Sequence, residues 1–256
     1  MKSLEDIVSE FKGVTLEQMS GVKLMNRSDV KYVTTVEHVH ELLSSISHYY
    51  YIQEGQTGRI NTYRTTYYDT PGMDMFLMHH NERASREKVR IRRYSDNDLS
   101  FFEIKMKNNH GKTKKRRVQV TTAEPWRGEE CSNLLNRYTN YDSGELIPTI
   151  SNEFKRITLT DFAMSERVTI DFMLKFHNHS NGAEKELRDL AIIELKRDSL
   201  KYSNIEGVLI DLRIKPMGFS KYCIGSVLTD TSLKSNLFKR KIMAIDKITN
   251  HTNGLI

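Results

Sequence analysis

The sequence has little of what marks several common classes of protein. Only two cysteines occur, Cys131 and Cys223, and they are far apart in the chain. A disulfide framework and a cysteine zinc site are therefore not expected, which favours a reducing compartment. Only 4 prolines occur, and hydrophobic residues make up 38% of the chain. This composition is typical of a globular protein rather than a disordered one.

Long apolar runs are missing as well. No run approaches the ~18 residues that a membrane-spanning helix needs. Glu5, Asp6 and Glu10 interrupt the first residues, so the apolar core of a signal peptide is absent. We expect a cytoplasmic protein with no transmembrane segment.

Familiar phosphate and metal motifs are also missing. The sequence contains neither GxxxxGK[ST] nor GxGxxG, and its 9 histidines do not form HExxH. A site for phosphate or metal would have to be built from other residues.

The spacing of apolar residues predicts a single α+β domain over residues 1–256, with no internal repeat and no clear linker. About eight strands follow one another, mostly as antiparallel hairpins. The C-terminal helix could cover the domain or meet a membrane surface or a protein partner, and core packing is the preferred interpretation. Helices are predicted at 2–12, 35–47, 124–139, 204–213, 218–229 and 236–249.

Cations alternate along the predicted strands. In REKVRIRRY, residues 86–94, four cations occupy every second position, with Val89 and Ile91 between them. Residues two apart in a strand point to the same face. Residues 83–117 alone contain 13 basic and 4 acidic residues, although the whole chain carries only +6. The alternation recurs in the segments 101–107, 112–117, 166–172 and 192–196.

Alternating charge on one strand usually means only that one face of a sheet is exposed to water. An ordinary solvated face mixes both signs, because like charges on neighbouring strands weaken pairing. Here several strands repeat the same sign, and their apolar faces must pack on helices. If the sheet curls, the basic face becomes a concave lining, which predicts a closed barrel with a charged lumen.

The chemistry of such a lumen fits a ligand with several phosphates. Arginine binds phosphate oxygens bidentately, and lysine neutralises them as a point charge. Glu103 and Glu194 would repel this ligand unless a divalent cation lay between them, and Mg²⁺ and Mn²⁺ accept carboxylate and phosphate oxygens. A nucleic acid is not expected, because aromatic residues are not interleaved with the basic run.

Nine segments, taken in order, resemble the VTC domain, the polyphosphate polymerase domain of the vacuolar transporter chaperone complex. No single segment is specific, and their order carries the resemblance. It covers roughly residues 22–230, flanked by the predicted helices 2–12 and 236–249. The segments are RSDVKY at 27–32, TYYDTPGMDMF at 66–76, REKVRIRRY at 86–94, FFEIKMK at 101–107, KTKKRR at 112–117, FKR at 154–156, ERVTIDF at 166–172, IIELK at 192–196 and FSKYC at 219–223.

The resemblance implies an α+β fold built on an eight-stranded antiparallel barrel, the triphosphate tunnel, with a basic lumen and flanking helices. It implies a phosphotransferase that moves the γ-phosphate of ATP onto inorganic polyphosphate with Mn²⁺ or Mg²⁺. Glu194 would be the metal ligand. The catalytic cations would be Lys31, Arg90, Arg92, Lys105, Lys114, Arg156, Arg167, Lys196 and Lys221. Further substrate contacts are expected from Arg86, Lys88, Glu103, Lys107, Arg116 and Ser220.

Some positions depart from the family pattern. Asp29 replaces a glutamate in the first motif, and Phe154 replaces a tyrosine. The related triphosphatases have ExExK on the first strand, where this chain has Arg27, Asp29 and Lys31. The arginine disfavours a second metal and so favours polymerisation over hydrolysis. A metal-dependent triphosphatase, or a non-catalytic module that binds polyphosphate or inositol phosphate, is left as the alternative, and a membrane-protein partner is left open.

Overall fold

The computed structural model describes residues 2–21, 27–95, 98–121, 128–198 and 203–251. The helices in these ranges are α1 (Leu4–Ser9), α2 (Val36–Ile46), α3 (Asp74–His80), α4 (Glu129–Tyr138), α5 (Asn204–Asp211), α6 (Lys221–Thr229) and α7 (Lys239–His251). The strands are β1 (Lys12–Thr15), β2 (Arg27–Thr35), β3 (Tyr50–Glu54), β4 (Asn61–Asp69), β5 (Arg86–Tyr94), β6 (Leu99–Lys107), β7 (Thr113–Val120), β8 (Ile147–Asp161), β9 (Glu166–Asn178) and β10 (Glu184–Asp198).

The ten strands form one sheet that is antiparallel apart from a single pair. Eight of them are hydrogen-bonded in the order β2-β10-β9-β8-β4-β5-β6-β7. β1 pairs in parallel with β3, and β3 pairs with the last residues of β8. Successive strands pair as antiparallel neighbours from β4 to β7 and from β8 to β10, which confirms the predicted α+β class with hairpin connections.

The sheet curls, but it does not close. Lys105 on β6 lies within electrostatic range of Lys31 on β2 and Glu194 on β10, although most of the sheet order separates these strands. Within the described residues, β2 and β7 are the two ends of the order and do not pair with each other. The prediction of a closed eight-stranded barrel is therefore corrected to an open, curled sheet. β7 carries the run KKRR and β2 carries Lys31, so closure would bring like charges together, which opposes pairing.

Two apolar clusters pack on the convex face of this sheet. One joins β2, β8, β9 and β10 to α1, α2 and α5, with Ile170 and Ile193 fully buried. The other joins β5 and β6 to α4, with Val89, Ile104 and Leu135 fully buried. These apolar rows alternate with the charged rows of the opposite face, as the period of two predicted.

A third apolar cluster covers one end of the concave face. α6 lies across this end, and the ring of Tyr222 packs on Tyr67 with centroids 5.1 Å apart. Gly225 faces Phe176, and a Cβ at this position would lie 2.4 Å from a ring carbon. Glycine costs about 1 kcal/mol relative to alanine inside a helix, and the close approach of the ring explains why it stands here. We call this end the plugged end of the concave face.

Most predicted elements are present with shifted bounds. The strands predicted at 86–94 and 99–107 are confirmed. The helix predicted at 2–12 ends at Ser9, because Lys12–Thr15 pairs with β3 as a strand. The helix predicted at 124–139 begins at Glu129 in the described chain, and residues 122–127 lie outside the described ranges.

Helix α3 and strands β1 and β3 were not predicted. α3 starts where it does because the buried carboxylate of Asp69 accepts hydrogen bonds from the backbone N–H groups of Met75 and Phe76, at 2.9 and 2.8 Å. This is a side-chain cap at the N-terminus of a helix, but its donors lie six and seven residues further along the chain. None of the helices in the described ranges has both the length and the apolar character that a membrane span requires.

Candidate functional site

The concave face beyond the plug collects nearly all the predicted site residues. Side chains that lie opposite each other in the strand register share a face of the sheet. Arg90 lies opposite both Tyr67 and Glu103, and Glu194 lies opposite Lys31. We call this the basic end of the concave face. It contains Lys31, Lys88, Arg90, Arg92, Lys105, Arg156, Arg167, Lys196 and Lys221, together with Glu103, Glu194 and Ser220.

Glu103 is fully buried between two cations. Arg90 Nε donates to Glu103 Oε2 at 2.8 Å, and Lys115 Nζ lies 3.3 Å from Glu103 Oε1. Burial raises the pKa of the Glu103 carboxyl, but Arg90, Arg92 and Lys115 outweigh it and lower the pKa to about 2. The carboxylate is therefore charged at neutral pH and fixes the position of the Arg90 guanidinium.

Asp171 binds two further cations. Arg156 Nε and Nη2 donate to its two oxygens at 2.5 and 2.7 Å, and Lys221 Nζ donates to Oδ2. Burial opposes ionisation, but Arg156 and Lys221 lower the pKa of Asp171 to about 2. Asp171 was not predicted as a site residue. The available signal was its place on the polar row with Arg167 and Thr169, on the same strand face as a predicted catalytic cation.

Glu194 is bound by Lys31 and Lys196. Lys31 Nζ donates to Glu194 Oε1, and Lys196 Nζ lies 2.8 Å from Oε2. Burial opposes ionisation, but the two lysines hold the pKa of Glu194 well below its usual range. Since both oxygens already have a cation, a metal ion at Glu194 would have to displace at least one lysine.

The first turn of α6 faces the basic end. The Ser220 hydroxyl caps the helix by accepting from the Cys223 backbone N–H, and it also accepts from Lys88 Nζ at 2.7 Å. Lys221 Nζ lies 4.2 Å from the centroid of the Phe154 ring. The free N–H groups and the dipole of a helix N-terminus favour a bound anion. The plug therefore supplies cations and a helix terminus to the site next to it.

Arg92 is a charge without a carboxylate partner. Among the described residues, no salt bridge of 4.0 Å or less involves its guanidinium. Arg92 Nε donates to Thr65 Oγ1 at 3.4 Å, and the guanidinium lies 5.9 Å from the centroid of the Tyr63 ring. Burial, together with repulsion from Arg90 and Arg156, lowers the pKa of Arg92. A bound anion would relieve this repulsion.

The pKa values of two side chains are lowered in part by the surrounding positive charge. Tyr67 is buried, which by itself raises its pKa, but Arg90, Arg92 and Lys88 lower the pKa to about 8. Lys105 is accessible to water but enclosed by the walls of the concave face. This partial desolvation and the repulsion from other lysines lower its pKa to about 8. Both shifts favour loss of a proton, so the surface is preorganised for an anion with several charges.

The sequence pattern placed the wrong set of alternate residues of β7 on the concave face. Lys114 lies opposite Met106, and Arg116 lies opposite Ile104, so both project from the convex side. The predicted catalytic role of Lys114 and the predicted substrate contact of Arg116 in the lumen are therefore not supported by their placement.

Lys115 and Arg117 occupy the concave positions of β7 instead. Lys115 contacts Glu103, and the Arg117 guanidinium lies 4.4 Å from the centroid of the Phe101 ring. The signal for this phase was in the sequence, because Val118 and Val120 are the apolar residues of the same strand. Apolar residues mark the helix-covered convex face, so the even-numbered cations had to share it.

Comparison with models of protein families gives a match over the part of the chain that contains the basic end. The model of the VTC domain matches residues 26–229 of the sequence. The chain belongs to the VTC domain family. The resemblance predicted from nine ordered segments is thereby confirmed, and no curated protein matches the sequence of this VTC domain significantly.

Solved structures show what the VTC domain resembles in fold. A proposed adenylyl cyclase from Hippeastrum, described as having a dominant triphosphatase activity, aligns with a TM-score of 0.50 at 14% identity, over 83% of this chain and 99% of that one. A proposed adenylate cyclase from Bacillus halodurans aligns with a TM-score of 0.48 at 15% identity, over 77% and 96% of the two chains. The similarity to the Hippeastrum protein shows a common fold.

Arg86, Lys107 and Arg167 lie at the borders of the basic end of this VTC domain, Arg167 being one of the cations named above. Arg86 and Lys107 are opposite each other at the end of β5 and β6, and Arg86 Nη1 donates to the Arg83 carbonyl at 2.5 Å. Arg167 Nη2 donates to the Met19 carbonyl at 3.1 Å. Arg27 begins β2, and its side chain lies outside the described part of the structure.

Glu194 is the carboxylate of the VTC domain that could share a metal with a phosphate ligand. In the described ranges, no group of three or more histidine, cysteine, aspartate or glutamate side chains converges as metal ligands. A cation bound at Glu194 would therefore complete its coordination with oxygens of the ligand and with water, which is how Mg²⁺ commonly binds beside phosphates. The residues fit a metal that arrives together with its phosphate ligand.

Proposed function

We propose that this VTC domain is an ATP-dependent polyphosphate polymerase. A terminal oxygen of a polyphosphate chain attacks the γ-phosphorus of ATP, the bond between that phosphorus and the β–γ bridging oxygen breaks, and ADP leaves. The chain is then longer by one phosphate. Phosphoryl transfer of this kind needs mainly positioning and neutralisation of charge, which a fixed array of cations can provide.

One observation carries the proposal: the basic end holds more positive charge than its carboxylates neutralise. The pKa of the buried Tyr67, which Arg90, Arg92 and Lys88 lower to about 8, reflects this excess, and repulsion from Lys31 and Lys88 adds to the desolvation that lowers the pKa of Lys105. A single anionic group would leave most of the repulsion in place, whereas a triphosphate or a polyphosphate chain can contact several cations together. Membership of the VTC domain family supports the choice of ATP and polyphosphate as substrates.

The geometry suggests how the cations divide the work. Arg90, fixed by Glu103, and the unpaired Arg92 would bind the triphosphate of ATP from β5. Arg156 and Lys221, fixed by Asp171, would bind phosphates beside the helix terminus of α6. Arginine forks and lysine point charges held in this way approach the transferred group without further reorganisation.

Glu194 would hold Mn²⁺ or Mg²⁺ in this scheme. When bound, the metal would neutralise charge on the transferred phosphate and orient it. Displacement of Lys31 or Lys196 from Glu194 would leave that lysine free to bind a phosphate oxygen, so the charge of the site would be redistributed rather than lost.

The test is incubation of the purified protein with ATP and Mn²⁺ or Mg²⁺, followed by gel staining for polyphosphate and a measurement of free phosphate. We expect long polymer from the wild type. Glu194→Gln is expected to lower polymer yield by roughly 100-fold or more, because a neutral amide is a poor ligand for a hard divalent cation. Unchanged yield in this variant would refute the assignment of Glu194.

Glu153→Gln is the matched control. Glu153 pairs with Arg64 at 2.5 Å on the exposed side of the sheet, so the same substitution removes a surface charge and leaves the basic end intact. Polymer yield in this variant is expected to equal that of the wild type. Equal losses in the two variants would point to a general effect of charge rather than to the site.

A metal-dependent triphosphatase is the second candidate, and the Hippeastrum protein of similar fold is described as having triphosphatase activity. The same cations would hold the triphosphate while water replaced the polyphosphate chain as the attacking group. Release of free phosphate without polymer would establish this alternative. Binding of tripolyphosphate with neither product would indicate a non-catalytic binding module.

A further inference from the structure

The convex side of β5–β7 contains a groove that the proposed reaction does not use. It encloses about 320 Å³ beside the end of α4 and next to the turn between β6 and β7. α4 covers the row of Val89 and Ile104 completely, and it leaves the next row of the sheet, at Met106, only partly covered. The lining residues include Lys107, Lys112, Lys114, Arg116 and Tyr138.

The lysines of this groove have no carboxylate partner in the described ranges, where Lys107, Lys112 and Lys114 form no salt bridge. Glu87 is the one acidic residue among those lining the groove, and burial raises the pKa of its carboxyl. Lys107, Lys112, Lys114 and Arg116 outnumber this one carboxyl, so the groove is net positive and attracts an anion.

The side chain of Arg116 is positioned in this groove by an aromatic ring. Its guanidinium lies 5.4 Å from the centroid of the Tyr138 ring, and Arg137 lies 5.5 Å from the same ring. Stacking on an aromatic ring restricts the arginine while its N–H groups stay available to a ligand. An arginine fixed without a carboxylate partner is the arrangement expected of a phosphate contact.

The groove is continuous with the basic end of the concave face. Lys105 lies on the concave face of β6, and Lys107 lies two residues further along the same strand, where it lines the groove. Two residues of a strand span about 7 Å. Lys107 shares the concave face with Lys105 and also lines the groove, so the two surfaces meet at the end of β6. A chain of phosphates that leaves the concave face past Lys105 would pass Lys107 and turn round this end of the strand to enter the groove.

We propose that this outer groove is a second anion site, which binds a segment of a polyphosphate chain outside the basic end of the concave face. The proposal rests on the proposed function for the identity of the chain. A short ligand such as tripolyphosphate is held in the concave face alone, whereas a long chain bridges the concave face and the groove. The groove then adds to the affinity for long chains because its contacts become intramolecular once the first site is filled.

The test compares two ligands and two triple variants by calorimetric titration. In the groove variant, Lys112→Glu, Lys114→Glu and Arg116→Glu are combined. We expect its affinity for long-chain polyphosphate to fall about tenfold, as three exposed charge contacts become repulsive. Its affinity for tripolyphosphate is expected to stay within about twofold, since none of the three residues lies on the concave face.

The control variant combines Lys239→Glu, Arg240→Glu and Lys247→Glu, which are exposed cations of α7. It has the same change of net charge away from the groove, and we expect both affinities to stay near those of the wild type. Thermal melting of both variants checks that the fold is kept. An equal fall in the affinity for long-chain polyphosphate in the two variants would overturn the proposal, because it would show a general effect of net charge.

Two other results bear on the proposal separately from the function. If the groove variant keeps its affinity for long chains, the second site is refuted even where polymer is still made. If the groove variant has a lower affinity for long-chain polyphosphate while the wild type makes no polymer from ATP, the second site is supported and the polymerase proposal fails. Inositol hexakisphosphate serves as a compact probe, and loss of its binding together with that of long chains would overturn the assignment to an extended chain.

Discussion

The plugged end and the basic end of the concave face use the same strands for opposite purposes. On β8 and β9, Phe154 and Phe176 are buried against α6, while Arg156 and Asp171 form an ion pair a few residues away on the same face. The register of β8 on β9 shifts between Glu153 and Lys155, and the register of β10 on β9 shifts as well. A β-bulge of this kind lets odd-numbered and even-numbered residues reach the same face on its two sides.

This difference separates where stability and function arise. Apolar burial at the plugged end stabilises the fold with or without a ligand. Closely spaced cations at the basic end repel one another, so that end is expected to destabilise the ligand-free protein until an anion binds. Sites that bind charged ligands commonly reduce stability in this way.

The largest expected effect concerns the plugged end. Gly225→Leu would place a side chain where a Cβ alone already lies 2.4 Å from the Phe176 ring. We expect the free energy of unfolding to fall by about 3 kcal/mol or more, because both elements are fully packed. Urea denaturation measures this. Gly218→Leu is the control, since its Cβ meets only Lys241 Nζ at 3.9 Å, and an equal loss there would contradict the role of the plug.

The two arginines of β5 separate affinity from stability. Arg92→Gln and Arg90→Gln are each expected to weaken tripolyphosphate binding about tenfold or more, through loss of charge-assisted hydrogen bonds. In the ligand-free protein their effects should differ. Arg90→Gln leaves the fully buried Glu103 with Lys115 alone and should lower stability by about 2–3 kcal/mol.

Arg92→Gln, in contrast, removes a cation that has no carboxylate partner among the described residues. The repulsion felt by Arg90 and Arg156 then decreases, so the ligand-free protein should be as stable as the wild type or more stable. Calorimetric titration and urea denaturation of the two variants check both expectations. Equal destabilisation by the two substitutions would show that Arg92 supports the fold.

A smaller effect is expected from pH. The pKa values of Tyr67 and Lys105 are both lowered to about 8 in the folded protein, so between about pH 8 and 10 these two groups contribute a rise in stability with pH. Cys131 and Tyr50 contribute in the opposite sense, because burial raises their pKa values. The contribution of Tyr67 is therefore measured as a difference: by thermal melting, the stability of the wild type should rise more steeply, or fall less steeply, across this range than that of Tyr67→Phe. Bound tripolyphosphate neutralises the cations around Tyr67 and should remove much of this difference. The same pH dependence in the two ligand-free proteins would contradict the excess of positive charge around Tyr67.

The sequence was sufficient to predict most of the cations of the concave face, but not the carboxylate of Asp171, the phase of β7 or the limits of that face. The alternation in REKVRIRRY predicted Arg90 and Arg92 correctly on the concave face, because two is the only period that a strand allows. The plugged end was not predicted, since the contact between Gly225 and Phe176 joins positions far apart in sequence. Closure of the barrel depends on whether the edges β2 and β7 pair, and these strands are far apart in sequence, so the local alternation of residues does not decide it.

The smallest effect tests the phase of β7, where the prediction was wrong. Lys115 faces Glu103 across the basic end, whereas Lys114 lies opposite Met106 on the convex side. Lys115→Ala should weaken tripolyphosphate binding about twofold to fivefold, as expected for one partly exposed charge, and Lys114→Ala should leave it unchanged. The two lysines are neighbours on β7 and the substitutions are identical, so the two variants have the same composition and net charge. The reverse order of effects would mean that the strand is shifted by one residue, and a shift by one residue would move every cation of β7 to the other face.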